Sequence, residues 1–175
     1  MKKSRSLSFL GLLGAVAITL SFLEGLLPPL PFLPPGAKAG FSNIVTMFTA
    51  SYFGLAPTLC LCLIKSLFVL ITRGISAFCM SLLGGLFSAV VMWICFRLRT
   101  SLLLTGVLGA IAHNTAQLLT AMVLTGTPYL FAYYPFLLLF ALVAGSITGL
   151  ILQAVYRPLC RVGQRLPLSK KGEKL

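Results

Sequence analysis

From Leu7 onward the chain is a succession of apolar runs long enough to cross a lipid bilayer, and that property excludes most folds. A spanning helix needs roughly 20 predominantly apolar residues. Six runs approach that length, at about 7–27, 37–54, 56–72, 78–97, 101–125 and 129–156. With 58% hydrophobic and 9% charged residues among 175, the chain cannot hide its apolar surface from water, so lipid must be its solvent. The expected fold is all-α: a polytopic membrane bundle of six transmembrane helices. A basic cytoplasmic N-terminus (1–6) precedes the transmembrane domain (7–156), and a basic cytoplasmic tail (157–175) follows it. Only "GLAP" separates the second and third runs, and Gly54 and Pro57 in it predict a tight helical hairpin. "MKKSR" and the apolar run after it have the form of a signal peptide. The small-residue cleavage site is missing at "LEGLLPP", so the segment reads as a retained first helix.

The charges are few and unevenly placed. Fourteen basic residues oppose two acids, Glu24 and Glu173, for a net charge of +12. Two acids leave no room for paired-carboxylate catalysis, a Walker-type ATPase or a carboxylate-held magnesium site, so anything driven by ATP must borrow its motor. The basic residues sit mostly at the two ends, which fits topology and an anionic lipid surface rather than nucleic acid. With both termini inside, eleven cations (Lys2, Lys3, Arg5, Arg97, Arg99, Arg157, Arg161, Arg165, Lys170, Lys171 and Lys174) face the cytoplasm of a bacterial inner membrane. Lys38 and Arg73 face outward, and Lys65 falls within a helix. Five cysteines and one histidine do not make a zinc site, and Cys60 and Cys62, two apart on a helix, point in different directions. No motif calls for a cofactor.

The stretch "PPLPFLPPGAKAG" places five prolines in eight residues and then a cation. Proline inside a helix costs about 3 kcal/mol, so the first helix ends near Leu27. The apolar residues between the prolines predict an extended segment packed at the outer interface or dipping into the bundle, where irregular backbone survives only under protein or against a wet cavity. Lys38, in the first turn of the second helix, either completes an anion site with the free N–H groups of that turn or reaches the outer headgroups.

Polar side chains also fall at spanning depth. "GAIAHNTAQL" carries His113 and Gln117 one turn apart, with Asn114 beside them. They are either a hydrogen-bonded helix contact or the polar wall of a ligand pocket. Asn43 and Thr46 share a face of the second helix. Arg73 closes the outer end of the third, and Lys65 lies two turns below it with Glu24 as the one acid at apolar depth. Small residues recur in "GLLGAVA", "SLLGGLFSA", "GVLGAIA" and "AGSITG". Gly11 and Ala15 on the first helix have small-xxx-small spacing, suited to close packing within the bundle or to docking another membrane protein.

"PGAKAGFSNIVTM", "SLLGGLFSAVVM", "GVLGAIAHNTAQL" and "YYPFLLLFALVAGSITG" together resemble the membrane family labelled Gx transporter or heptaprenyl diphosphate synthase component I. That family is similar to the substrate-binding S components of energy-coupling factor (ECF) transporters. The resemblance covers about residues 8–155. It implies a six-helix bundle with substrate near the outer face, closed over by the segment between helices one and two. It also implies docking of a transmembrane coupling subunit, which brings two ATPases, on small residues of helix one. Gly11, Ala15 and Ala17 are the positions here, although a clean pair of alanines four apart is missing. The synthase label conflicts with the residues: trans-prenyltransferases hold magnesium and diphosphate with aspartates, and this chain has none.

The expected function is capture of a small anionic or polar ligand for an ECF-like importer. Lys38 and Arg73 would attract the ligand, and Asn43, His113, Asn114 and Gln117 would orient it. The alternatives are a membrane component of flavin- or quinone-linked extracellular electron transfer, and a non-catalytic partner in prenyl-chain synthesis.

Overall fold

The computed structural model describes residues 2–26 and 40–165. The proline stretch, with Lys38, and the last ten residues, 166–175, lie outside the described residues. The described residues form six α-helices: α1 (Lys2–Leu26), α2 (Asn43–Tyr52), α3 (Leu55–Arg73), α4 (Ile75–Arg97), α5 (Leu102–Thr125) and α6 (Tyr134–Arg165). A short 3₁₀ turn, Pro128–Tyr133, leads into α6. Among the described residues there is no strand, and five helices are long and apolar enough to cross a membrane. The chain is a multi-pass membrane protein.

The exception is α2. Hydropathy predicts a span over about 37–54, but the helix has ten residues, about 15 Å of rise against a hydrocarbon core of about 30 Å. It does not face lipid. Asn43 and the run from Val45 to Ala50 are buried, and α2 packs against each of the other five helices. A helix buried on most of its sides is a core helix, and this one, in contact with the other five, is the central post of the bundle. Around its lower half Phe9, Leu13 and Ala17 of α1, Phe48, Met92 and Leu152 form the apolar core. The Phe9 ring meets Phe48 edge-on at 6.2 Å, and Phe48 stacks on Tyr52 at 5.5 Å.

The connections are shorter than the sequence suggests. Gly74, at φ +85°, forms the whole break between α3 and α4, where "TRGIS" predicts a loop. A residue with a Cβ is strained there, and glycine is not. α6 runs on through Pro158 to Arg165, past the Tyr156 at which its apolar run ends.

α5 and α6 pack backbone to backbone. A methyl group placed on Gly106 would stand 2.5 Å from the Gly145 carbonyl oxygen, and one on Gly149 would stand 2.7 Å from Leu103 Cα. These glycines let the two axes approach as small residues do in membrane helix pairs. With the helices alternating in direction, Arg97 and Arg99, Arg157, Arg161 and Arg165 share one end of the bundle with the start of α1. Arg97 lies 5.0 Å over the Trp93 ring at that end. Arg73 stands at the opposite end, its guanidinium against Gly25 of α1.

Candidate functional site

Toward the Arg73 end the interior changes from apolar to polar. Glu24, Ser42, Asn43, Lys65, Ser66, Ser81, His113, Asn114 and Gln117 are all buried there. They come from α1, the turn before α2, and α2 to α5. Polar groups withdrawn from both water and lipid must find partners inside the protein.

The turn before α2 builds the first part. Gly40 (φ +82°) reverses the chain, and its carbonyl accepts from the Asn43 N–H at 2.9 Å. Ser42 stands in the N-cap position, but its hydroxyl makes no capping bond. Its Oγ instead accepts from Lys65 Nζ of α3 at 3.2 Å, while its own N–H donates to Glu24 Oε1 of α1 at 3.4 Å. Among the described residues, the one acid and the one lysine at this depth thus meet at a single serine. A carboxylate at the first turn of α2 also suits the positive end of that helix. Lys65 is 2% exposed, and Ser42 takes one of the three protons of its ammonium. Asn43 is 3% exposed, and its Oδ1 has no hydrogen-bond partner. Below, Cys62 Sγ lies 3.5 Å from the Gly85 carbonyl oxygen, and Ser66 Oγ is 3.5 Å from Ser81 Oγ, tying α3 to α4.

α5 supplies the second part. His113 and Gln117 both lie against Gly84 of α4: a methyl group there would stand 2.9 Å from Gln117 Cγ and 3.0 Å from His113 Cε1. Asn114, turned about 100° around the helix, instead donates from Nδ2 to the Leu137 carbonyl oxygen of α6 at 3.4 Å. The three residues predicted to form one wall therefore face two neighbours.

Asn43, His113, Asn114 and Gln117 are brought into the polar interior, and Arg73 is not. It is exposed at the end of α3 and covers Gly25. Lys38 lies outside the described residues. Ser42 was not singled out by sequence, although its two partners stand out as the lone acid and lone lysine at apolar depth. Gly11 and Ala15 point away from the bundle, and a methyl group on Gly11 would meet nothing within 4 Å. Ala17, by contrast, is fully buried in the core and offers nothing to a partner. Among the described residues no three His, Cys, Asp or Glu side chains come together as a metal would require.

A separate apolar groove of about 510 Å³ lies between α4 and α5, with Leu83, Phe87, Leu119 and Val123 in its walls and Thr115 and Thr120 the polar side chains there.

No curated protein matches the sequence. The architecture is similar to a solved structure described as the S component of a bacterial ECF transporter, with a TM-score of 0.68 over 93% of this chain and 98% of the other. The two are 18% identical, so the likeness is one of fold. The sequence pattern of one family matches residues 13–155, most of the chain and nearly all of its membrane-spanning part. The protein belongs to the heptaprenyl diphosphate synthase component I family.

Proposed function

We propose that the chain is the substrate-capturing membrane subunit of an ECF-like importer, powered by ATPases on other subunits. The observation that carries this reading is the polar interior at the Arg73 end of a bundle with the S-component fold. Asn43, His113 and Gln117 offer hydrogen bonds to a ligand, and Asn114 fixes α5 against α6. Arg73 gives that end positive charge that draws in an anionic or zwitterionic solute, and Lys38 would add to it on the sequence reading of the topology. The basic end lies in the cytoplasm of the bacterial inner membrane with both termini, as the asymmetry of its arginines favours. The outward stripe of Gly11 and Ala15 receives the transmembrane coupling subunit, since small residues let a partner helix approach closely. Affinity capture from native membranes in mild detergent, with mass spectrometry of the bound proteins, tests the reading. Recovery of a coupling subunit and ATPases supports it. Recovery of flavoproteins without ATPases overturns it in favour of electron transfer.

One observation favours a second reading. The groove between α4 and α5 has apolar walls, as a prenyl chain would require, and the family's name refers to prenyl diphosphate synthesis. The chain would then be a non-catalytic scaffold for a soluble synthase. Quinone side chains of altered length in a deletion strain would support that role, and normal length would remove it.

A further inference from the structure

The α5 side chains are not the only polar groups buried at this end. A second set, from α1, α2 and α3, joins opposite charges. Lys65 and Glu24 are both buried and both bonded to Ser42, through Oγ and the N–H respectively. Next to Ser42 in the chain, Asn43 is 3% exposed, and its Oδ1 lacks a donor. An orphaned carbonyl oxygen at such burial is costly, and a partner would recover that cost. Lys65 has protons left to give, and Asn43 has an acceptor left to fill. A simple anion answers the first need but is opposed by Glu24. A simple cation answers the second but is opposed by Lys65.

We infer that the Glu24–Ser42–Asn43–Lys65 cluster binds the charged end of a ligand that carries a carboxylate and an N–H donor close together, as an α-amino acid does. The carboxylate takes the free protons of Lys65, and the N–H group donates to Asn43 Oδ1 on the side toward Glu24. This names a substrate class for the importer reading and rests on it. The cluster is tied to α1 and α3, so a ligand there bridges those helices through the first turn of α2.

The test uses the full chain purified in mild detergent. Its thermal unfolding is followed in the presence of glycine, acetate or methylamine at equal ionic strength. Acetate and methylamine are the two halves of glycine. Glycine should raise the midpoint in a saturable way, and each half should raise it less. Lys65→Met and Asn43→Leu should each weaken the apparent affinity for glycine about 10- to 100-fold, the equivalent of one charge-assisted hydrogen bond. Ile71→Ala, on the outer face of α3, should leave it unchanged. If Lys65→Met does not fold, Asn43→Leu carries the comparison alone. No shift with glycine, an equal shift with acetate alone, or an unchanged affinity in the folded variants overturns the assignment. Partner capture is independent of this result, so a coupling subunit recovered alongside a negative glycine experiment would refute the ligand class and leave the importer standing.

Discussion

The glycine seam between α5 and α6 gives the sharpest test of the architecture. In Gly106→Ala the new methyl group would stand 2.5 Å from the Gly145 carbonyl oxygen and 2.9 Å from the Gly149 nitrogen. Ordinary contact begins near 3.4 Å, so the helices must part by about 1 Å. Both obstacles are backbone, and no side chain can rotate away. Overpacking of this kind costs about 1–3 kcal/mol, and a backbone clash belongs at the upper end, about 2–3 kcal/mol. Gly→Ala in a helix also returns up to about 1 kcal/mol of propensity. Gly11→Ala is the control, because it makes the same chemical change in a helix with nothing within 4 Å. The propensity term cancels between the two variants. Gly106→Ala should therefore be less stable than Gly11→Ala by about 2–3 kcal/mol, or roughly 4–12 °C in unfolding midpoint for a chain this long. Unfolding in detergent, followed by the fluorescence of the one tryptophan, Trp93, measures the difference. A gap below about 0.5 kcal/mol would show that α5 and α6 do not approach as described, and would refute the packing argument.

Ser42→Ala removes the acceptor of Lys65 Nζ and should cost about 1–3 kcal/mol in the same assay, whereas Asn114→Leu should cost nearer 0.6 kcal/mol, the average for a polar contact between membrane helices. Gly84→Ala pushes on Gln117 and His113, which are side chains able to yield, so stability should fall by less than in Gly106→Ala while affinity for a captured ligand falls measurably. The double change Gly11→Leu and Ala15→Leu, on the outward face of α1, should leave the unfolding midpoint within a few degrees of the parent and abolish capture of a coupling subunit. Retained capture would move the docking surface to another face.

Hydropathy read the bundle well where helices meet lipid, and poorly where a helix meets only protein. The runs at α1, α3, α4, α5 and α6 are apolar because lipid requires it, so composition and length place them. α2 is apolar for another reason, burial on all sides, and a window average does not distinguish the two. That is why about 37–54 reads as a span, while the helix described there, Asn43–Tyr52, is a ten-residue post. Small residues hide direction in the same way: Gly11 opens outward and Gly106 is clamped against α6, yet both read as glycine in an apolar run.

The polar site was half legible for a related reason. Any polar residue in a lipid-solvated run is conspicuous, so His113, Asn114, Gln117 and Asn43 could be found by inspection. The helical period could show that Asn114 turns away from His113, but not that α6 would be there to receive it. Lys65 and Glu24 were each conspicuous too, being unaffordable alone in an apolar interior. Ser42 was not, because a serine at a helix start is ordinarily a cap. Its hydroxyl serves α3 and its amide serves α1 because two buried charges have stronger needs than a helix terminus does. The same ranking explains why the turn before α2 is where the chain gathers its interior charges. At the first turn of a central helix backbone donors are still unspent, and an acid and a lysine from flanking helices can both reach a partner there.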